Sequence, residues 1–141
     1  MKNSRPILLV EDDDADTIMT QRALSDLKVT NKLTRTVDGK DALDYLRGQN
    51  NQKPCVILLD LNMPRMDGFE FLKIAKADDV LKRIPVVVLT TSADDRNVVE
   101  SFNLHVAGYI VKPVDYKQFV EAMRTIDMYW TLSRLPNSNG A

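Results

Sequence analysis

One short apolar run that ends in a carboxylate constrains the fold of this chain more than any other feature. Residues 56–59 are all aliphatic, Asp60 follows them, and Pro54 and Pro64 bound the stretch. A run of this length between prolines is typical of a strand buried on both faces, as in a parallel sheet. We therefore expect Asp60 at the carboxyl end of a central strand, the edge at which open α/β sheets bind ligands. A helix cap, a metal ligand and a nucleophile are the three roles open to it.

Four further apolar runs, each followed by a segment with helical spacing, repeat this pattern. The runs cover residues 6–10, 33–37, 84–89 and 107–111. The helical segments cover residues 14–28, 39–47, 67–77 and 94–104, and a last one begins after Asp115. Since short crossovers between parallel strands are right-handed, this order predicts a parallel sheet covered by helices on both faces. We expect an α/β, flavodoxin-like (βα)5 doubly wound sheet with strand order 2-1-3-4-5.

Local patterns give expectations for individual elements. The polar content of run 33–37 suits an edge strand. Gly48 is expected just past the end of the second helix, and Asp115 with Gln118 resembles a capping box at the start of the last one. The apolar faces expected for the first and last helices are Ala15, Ile18, Met19, Leu24 and Leu27, and Phe119, Ala122, Met123, Ile126 and Trp130.

The composition fits a globular domain of ordinary size. The chain has 141 residues, of which 44% are hydrophobic and 28% charged. We expect one domain over residues 1–141, with a core at about 5–130 and a tail at about 131–141. A single cysteine, Cys55, and a single histidine exclude an internal disulfide and a metal cluster built on Cys or several His. Cys55 is expected as a small core residue.

Charge and hydropathy narrow the compartment and the partners. The net charge of −1 shows no basic excess, so nucleic acid is not an expected partner. No apolar run approaches the ~18 residues of a membrane span, and no hydrophobic signal-peptide core follows the N-terminus. We expect a cytoplasmic protein that does not enter a membrane.

Polar side chains follow four of the five apolar runs. They are Glu11 with Asp12, Asp60, Thr90 and Lys112. In a parallel sheet these ends meet at one edge, where clustered carboxylates repel one another unless a cation compensates. Lys112 and a hard divalent metal such as Mg²⁺ are the two cations that fit. The constellation suits phosphoryl transfer to Asp60, whose carboxylate would become an acyl phosphate.

The joint spacing of these motifs is more specific than any one of them. The motifs are Glu11-Asp12, Asp60 to Pro64, Asp67-Gly68, Thr90 and Lys112-Pro113. Asp12 and Asp60 are separated by 48 residues along the chain. The separation is 30 residues from Asp60 to Thr90, and 22 residues from Thr90 to Lys112. Together they resemble the receiver domain of two-component response regulators over about residues 5–130. The resemblance implies a stand-alone regulator that changes its interaction surface on phosphorylation, rather than an enzyme.

The resemblance also implies a role for each motif residue. The phosphoacceptor is Asp60, and the ligands of Mg²⁺ or Mn²⁺ are Glu11, Asp12, Asp60 and the backbone carbonyl of Asn62. The phosphate-binding and switch residues are Thr90, Lys112 and Tyr109. Asn62 and Ser92 occupy positions that tune dephosphorylation. The phosphodonor would be a histidine kinase or a phosphotransfer protein. Residues 128–136 are similar to regulators paired with phytochrome-type kinases, which often form homodimers.

Other interpretations stand beside this one. A hydrolase of the haloacid-dehalogenase kind also uses an Asp nucleophile at a strand end. That class has a second Asp, the general acid and base, two residues after the nucleophile, where this chain has Asn62. A pure interaction scaffold would not need the intact acidic residues. Asp13 and Asp14 are expected as the cap and a first-turn acid of the first helix, and His105 as a surface residue or a dipole partner at a helix end. Asp60 does not suit a cap, because the next helix begins several residues later.

Overall fold

The computed structural model of the chain describes residues 5–48, 52–61, 68–90, 94–111 and 115–130, with the backbone alone at 94–96, 101 and 127–130. The strands are β1 Ile7–Val10, β2 Leu33–Thr36, β3 Val56–Asp60, β4 Val86–Thr90 and β5 Gly108–Val111. The helices are α1 Asp14–Asp26, α2 Gly39–Arg47, α3 Gly68–Ala77, α4 Asp94–Ser101 and α5 Tyr116–Trp130. A turn of 3₁₀ helix, Leu81–Arg83, joins α3 to β4.

The five strands form one parallel sheet in the order β2-β1-β3-β4-β5. The register places Leu9 beside Leu58 and Leu58 beside Val87 in the centre of the sheet. This confirms the predicted flavodoxin-like arrangement and strand order. It also confirms that run 33–37 supplies an edge strand, because β2 pairs with β1 alone.

Helices cover both faces of the sheet, and the sheet separates the hydrophobic core into two halves. α2, α3 and α4 pack on one face, and α1 and α5 on the other. Alternate residues of each central strand therefore enter different halves, as Leu8 and Leu9 do in β1. All residues of β1, β3 and β4 are buried, which explains why the sequence shows continuous apolar runs here. Cys55 is buried in the α1–α5 half, as expected.

The predicted apolar face of α1 is wrong at two positions. Ala15 is exposed and Ile18 has 62% of its surface exposed, whereas Thr17 and Thr20 are buried. Both threonine hydroxyls donate to main-chain carbonyls one turn earlier, at 2.9 Å each, so their burial leaves no unpaired donor. The prediction placed Ile18 on the buried face because of its hydropathy, a quantity that does not include these local hydrogen bonds.

Local backbone geometry sets the helix ends. α1 and α4 end before the predicted residues 28 and 104, since Lys28 and Asn103 adopt the left-handed conformation, with φ of 60° and 56°. Gly48 lies just past the end of α2, as expected. Its backbone is extended, with φ −67° and ψ 133°, and not in the left-handed conformation common for glycine at this position. At the start of α5, the Asp115 carboxylate accepts from the Gln118 amide at 2.8 Å, which confirms the Asp115 half of the predicted capping box.

Candidate metal centre at the carboxyl edge of the sheet

Three carboxylates converge where β1 and β3 end. One ligand oxygen from each of Glu11, Asp12 and Asp60 lies within 4.8 Å of the others. Glu11 and Asp60 are 1% and 3% exposed, whereas Asp12 faces solvent. The pairing of β1 with β3 produces this cluster, because it sets Val10 beside Leu59 and so leaves the next residues, Glu11 and Asp60, at the same edge. The structure thus brings together the three acidic residues that the sequence singles out.

The main chain of Glu11 is held from the neighbouring edge strand. Its N–H donates to the carbonyl of Thr36 at 3.0 Å, and its own carbonyl accepts from Nε of Arg35 at 3.0 Å. Its carboxylate accepts from the Asp13 amide at 3.3 Å. The sequence does not predict this role of Arg35, since nothing in a polar edge strand distinguishes a side chain that reaches the end of the next strand.

The other two acids of the run take structural roles, as expected. Asp13 caps α1, and its carboxylate accepts from the Asp16 amide at 2.7 Å. Asp14 lies in the first turn and pairs with Nη1 of Arg35 at 2.8 Å. Negative side chains at this end of a helix also suit its dipole. Of the run 11–14, only Glu11 and Asp12 therefore join the carboxylate cluster.

The main chain of Asp60 packs against the start of α3. A Cβ on Gly68 would lie 2.3 Å from the carbonyl oxygen of Asp60 and 2.5 Å from Cα of Leu61. The Gly68 amide donates to the Leu61 carbonyl at 3.3 Å. Gly68 does not have a positive φ, so close approach and not backbone conformation requires glycine here. The sequence indicated a turn at 67–68, but not this contact with the strand that carries Asp60.

Thr90 and Tyr109 lie on the strands beyond Asp60. Asp60 pairs with Leu89, so Thr90 lies one residue further along the adjacent strand, and it is 1% exposed. Tyr109 pairs with Val88, is half-buried and packs against the α2–α4 half of the core. Both residues therefore lie on the side of the cluster that leads to β5.

Several predicted positions lie outside the described residues. These are Asn62, Ser92 and Lys112, and their roles stay predictions. His105 is exposed in the loop between α4 and β5, as expected of a surface residue. In the parts of the chain that the structure describes, no helix is long and apolar enough to cross a membrane.

The donor set fits a hard divalent cation. All three groups offer carboxylate oxygens, the ligand type that Mg²⁺ and Mn²⁺ prefer. Three carboxylates at this separation repel one another, and two of them are buried, so a bound dication would lower the electrostatic free energy of the cluster. Asp12 lies on the exposed side, so the cluster is accessible from solvent there.

Comparison with known sequences gives a consistent set of relatives. Residues 7–124 match the response regulator receiver domain family. The chain is 40% identical over 127 residues to the probable methanogenesis regulatory protein FilR2 of Methanothrix harundinacea, covering 88% of this chain and 82% of FilR2. It is 41% identical over 128 residues to the response regulator Rcp1 of Synechocystis, covering 88% of this chain and 87% of Rcp1.

Solved structures of two such relatives superpose closely on the fold. The Mn²⁺-bound form of Rcp1 has a TM-score of 0.80 at 38% identity, covering 93% of this chain and 97% of Rcp1. The phosphorylated cyanobacterial phytochrome response regulator RcpA also has a TM-score of 0.80, at 41% identity, covering 91% of this chain and 94% of RcpA. The relatives thus include a metal-bound and a phosphorylated form of this architecture.

Proposed function

Because the chain belongs to the response regulator receiver domain family, we propose that it is a stand-alone response regulator that accepts a phosphoryl group on Asp60. The observation that carries the proposal is the carboxylate cluster, in which buried Asp60 shares one edge of the sheet with Glu11 and Asp12. We base the stand-alone form on the relative Rcp1, of which this chain covers 87%.

In this mechanism Asp60 is the nucleophile. A carboxylate oxygen attacks phosphorus, and the new O–P bond forms as the bond from phosphorus to the donor nitrogen of a phosphohistidine breaks. Glu11 and Asp12, with the other oxygen of Asp60, would hold Mg²⁺ or Mn²⁺. Such an ion neutralises negative charge on the transferring group. Burial of Glu11 and Asp60 strengthens these interactions, since the local dielectric is lower than in water.

The remaining motif residues would bind the phosphoryl group and read it out. Thr90 would donate its hydroxyl to a phosphoryl oxygen, and Lys112 would pair with another. Tyr109 would follow Thr90 and change the surface around β5. Asn62, whose carbonyl is the fourth proposed metal ligand, and Ser92 would set the rate of dephosphorylation. These roles rest on the family resemblance. We propose no catalytic activity for the chain beyond autodephosphorylation.

We propose a sensor histidine kinase as the phosphodonor, with a phosphotransfer protein as the alternative. RcpA is a phytochrome response regulator, which makes a phytochrome-type kinase the first donor to test. Phosphotransfer from a panel of kinases, followed over time, would identify the donor. We also propose a homodimer, which sedimentation velocity before and after phosphorylation would test. Dimerisation is separate from phosphate acceptance, and a monomer would leave the role of Asp60 intact.

The phosphoacceptor is tested with acetyl phosphate and Mg²⁺, followed by intact mass spectrometry. The wild type is expected to gain one phosphate, and Asp60→Asn none, because the amide is not a nucleophile. The matched control is Asp44→Asn, which changes an exposed acid on α2 and should be modified like the wild type. An unmodified wild type, under conditions that modify an established receiver domain, would contradict the proposal. Phosphate retained in Asp60→Asn would place the acceptor elsewhere.

A further inference from the structure

We propose that Arg35 is a positioning residue that fixes the Glu11–Asp12 segment in its metal-binding geometry. The inference deepens the proposed function, because it rests on the metal centre proposed above. Arg35 lies on the edge strand β2, outside the carboxylate cluster, and reaches across to the end of β1. We assign it no contact with the ion.

The guanidinium joins two parts of the acidic segment at once. Its Nε donates to the Glu11 carbonyl at 3.0 Å, and its Nη1 donates to the Asp14 carboxylate at 2.8 Å. These acceptors lie on either side of Asp12, one directly after β1 and the other in the first turn of α1. A planar fork with fixed donor directions holds such a pair of acceptors better than a single ammonium does. Arg35 thereby restrains the segment from which Asp12 projects.

The two contacts differ in environment. The side chain of Arg35 is 28% exposed, and that of Asp14 is 84% exposed. An ion pair to so exposed a carboxylate contributes little stability by itself. Its consequence is geometric, because the contact with Asp14 gives the guanidinium a second acceptor beside the Glu11 carbonyl. The bond to the Glu11 carbonyl then fixes the peptide that connects Glu11 to Asp12.

Positioning and plain electrostatics predict opposite changes in metal affinity. A cation near three carboxylates disfavours binding of a second cation, so removing its charge should tighten Mg²⁺ binding. Loss of a group that orients metal ligands from outside the coordination sphere typically weakens binding by about 10–100-fold. The sign of the change in Arg35→Gln therefore separates the two effects.

The experiment is isothermal titration calorimetry of the full chain with Mg²⁺, at fixed pH and ionic strength. We expect Arg35→Gln to raise the Kd about tenfold, and Arg35→Lys, which keeps the charge and one donor group, to raise it by a smaller factor. The charge-matched control is Lys40→Gln, since Lys40 pairs with Asp44 on the exposed face of α2 at 3.2 Å. Its Kd should stay within about twofold of the wild type.

Metal-free samples in EDTA provide a readout that separates positioning from loss of fold. Circular dichroism should show that Arg35→Gln is folded before Mg²⁺ is added. If that variant is not folded, the Mg²⁺ affinity of Arg35→Lys tests the inference in its place. Unchanged or tighter Mg²⁺ binding in the folded variant overturns the inference and leaves the metal centre in place. A wild type that does not bind Mg²⁺ overturns the proposed metal centre, and the inference with it. Weaker binding in the Arg35 variants with an unaffected Lys40→Gln supports both.

Discussion

Gly68 shows how a single missing side chain supports the proposed phosphoacceptor. Its α-carbon lies so close to the end of β3 that a methyl group would overlap the Asp60 carbonyl oxygen at 2.3 Å. Backbone cannot move aside as a flexible side chain can. The close contact fixes the distance between α3 and the strand end, and therefore limits how far the main chain of Asp60 can shift.

We expect Gly68→Ala to lower the free energy of unfolding by about 1–3 kcal/mol, the typical cost of overpacking a well-packed site. Urea titration followed by circular dichroism measures it. The matched control is Gly108→Ala in β5, where an added Cβ meets nothing within 4 Å. That variant should be neutral or more stable by up to about 1 kcal/mol, because alanine restricts the unfolded chain. Equal unfolding free energies for the two variants would refute the close-contact explanation.

At the level of residues, the sequence was informative where position along a strand decides the role. Glu11, Asp12 and Asp60 could be predicted to cluster because each follows a buried run, and parallel pairing then leaves their side chains at one edge. Arg35 and Gly68 could not be predicted in this way. Their roles depend on which atoms of a distant segment lie beside them, and neither hydropathy nor spacing encodes that contact.

Among the elements, the short 3₁₀ turn between α3 and β4 depends on one carboxylate. Asp78 accepts from the amides of Val80 and Leu81 at 2.8 and 3.0 Å. The hydrogen bond from Leu81, followed by that from Val80, lowers the pKa of Asp78 below its ordinary value of 3.8. Leu81 is buried in the core, so these two hydrogen bonds hold a core residue as well as the turn.

The lowered pKa gives a defined pH dependence. A carboxyl whose pKa is lower in the folded state stabilises the fold fully above its unfolded pKa, and loses this effect as pH falls through the folded pKa. We expect the difference in Tm between the wild type and Asp78→Asn to be greatest near pH 6, and to shrink as the pH falls below about 4. The control is Asp79→Asn, which changes an acid that is 94% exposed. A Tm difference for Asp78→Asn that stays constant down to about pH 3 would contradict this assignment.

Element boundaries and faces were predictable only in part. The five strands and five helices appear where periodicity placed them, because hydrophobic spacing reflects burial against the sheet. Their ends shifted at Lys28 and Asn103, where a non-glycine residue takes a left-handed conformation that sequence does not signal. The α1 face shifted because hydrogen bonds to the main chain made two threonines compatible with burial.

For the molecule as a whole, the proposed metal centre links ion binding to stability. The cluster joins residues 11–12 to residue 60, so the unfolded chain does not hold these oxygens together. At a Mg²⁺ concentration about 100 times the Kd, binding to the folded state alone adds about 2.7 kcal/mol to the free energy of unfolding. We therefore expect Mg²⁺ to raise the Tm by several degrees, and EDTA to reverse the increase.

Differential scanning calorimetry measures this effect, with NaCl at matched ionic strength as the control for screening. Asp60→Asn should lose most of the Mg²⁺-dependent increase, whereas Asp44→Asn should keep it. An increase of the same size in Asp60→Asn would show that the stabilising ion binds elsewhere on the molecule.

The strand order also has a consequence for synthesis on the ribosome. β1 emerges first, yet it lies between β2 and β3 in the finished sheet and is buried on both faces. Its second neighbour, β3, becomes available only after residue 60 has left the exit tunnel. Until then Glu11 and Asp12 have no third carboxylate beside them. If Asp60 completes the proposed metal centre, stalled chains of increasing length should show Mg²⁺-dependent protection from protease only once residue 60 has left the tunnel.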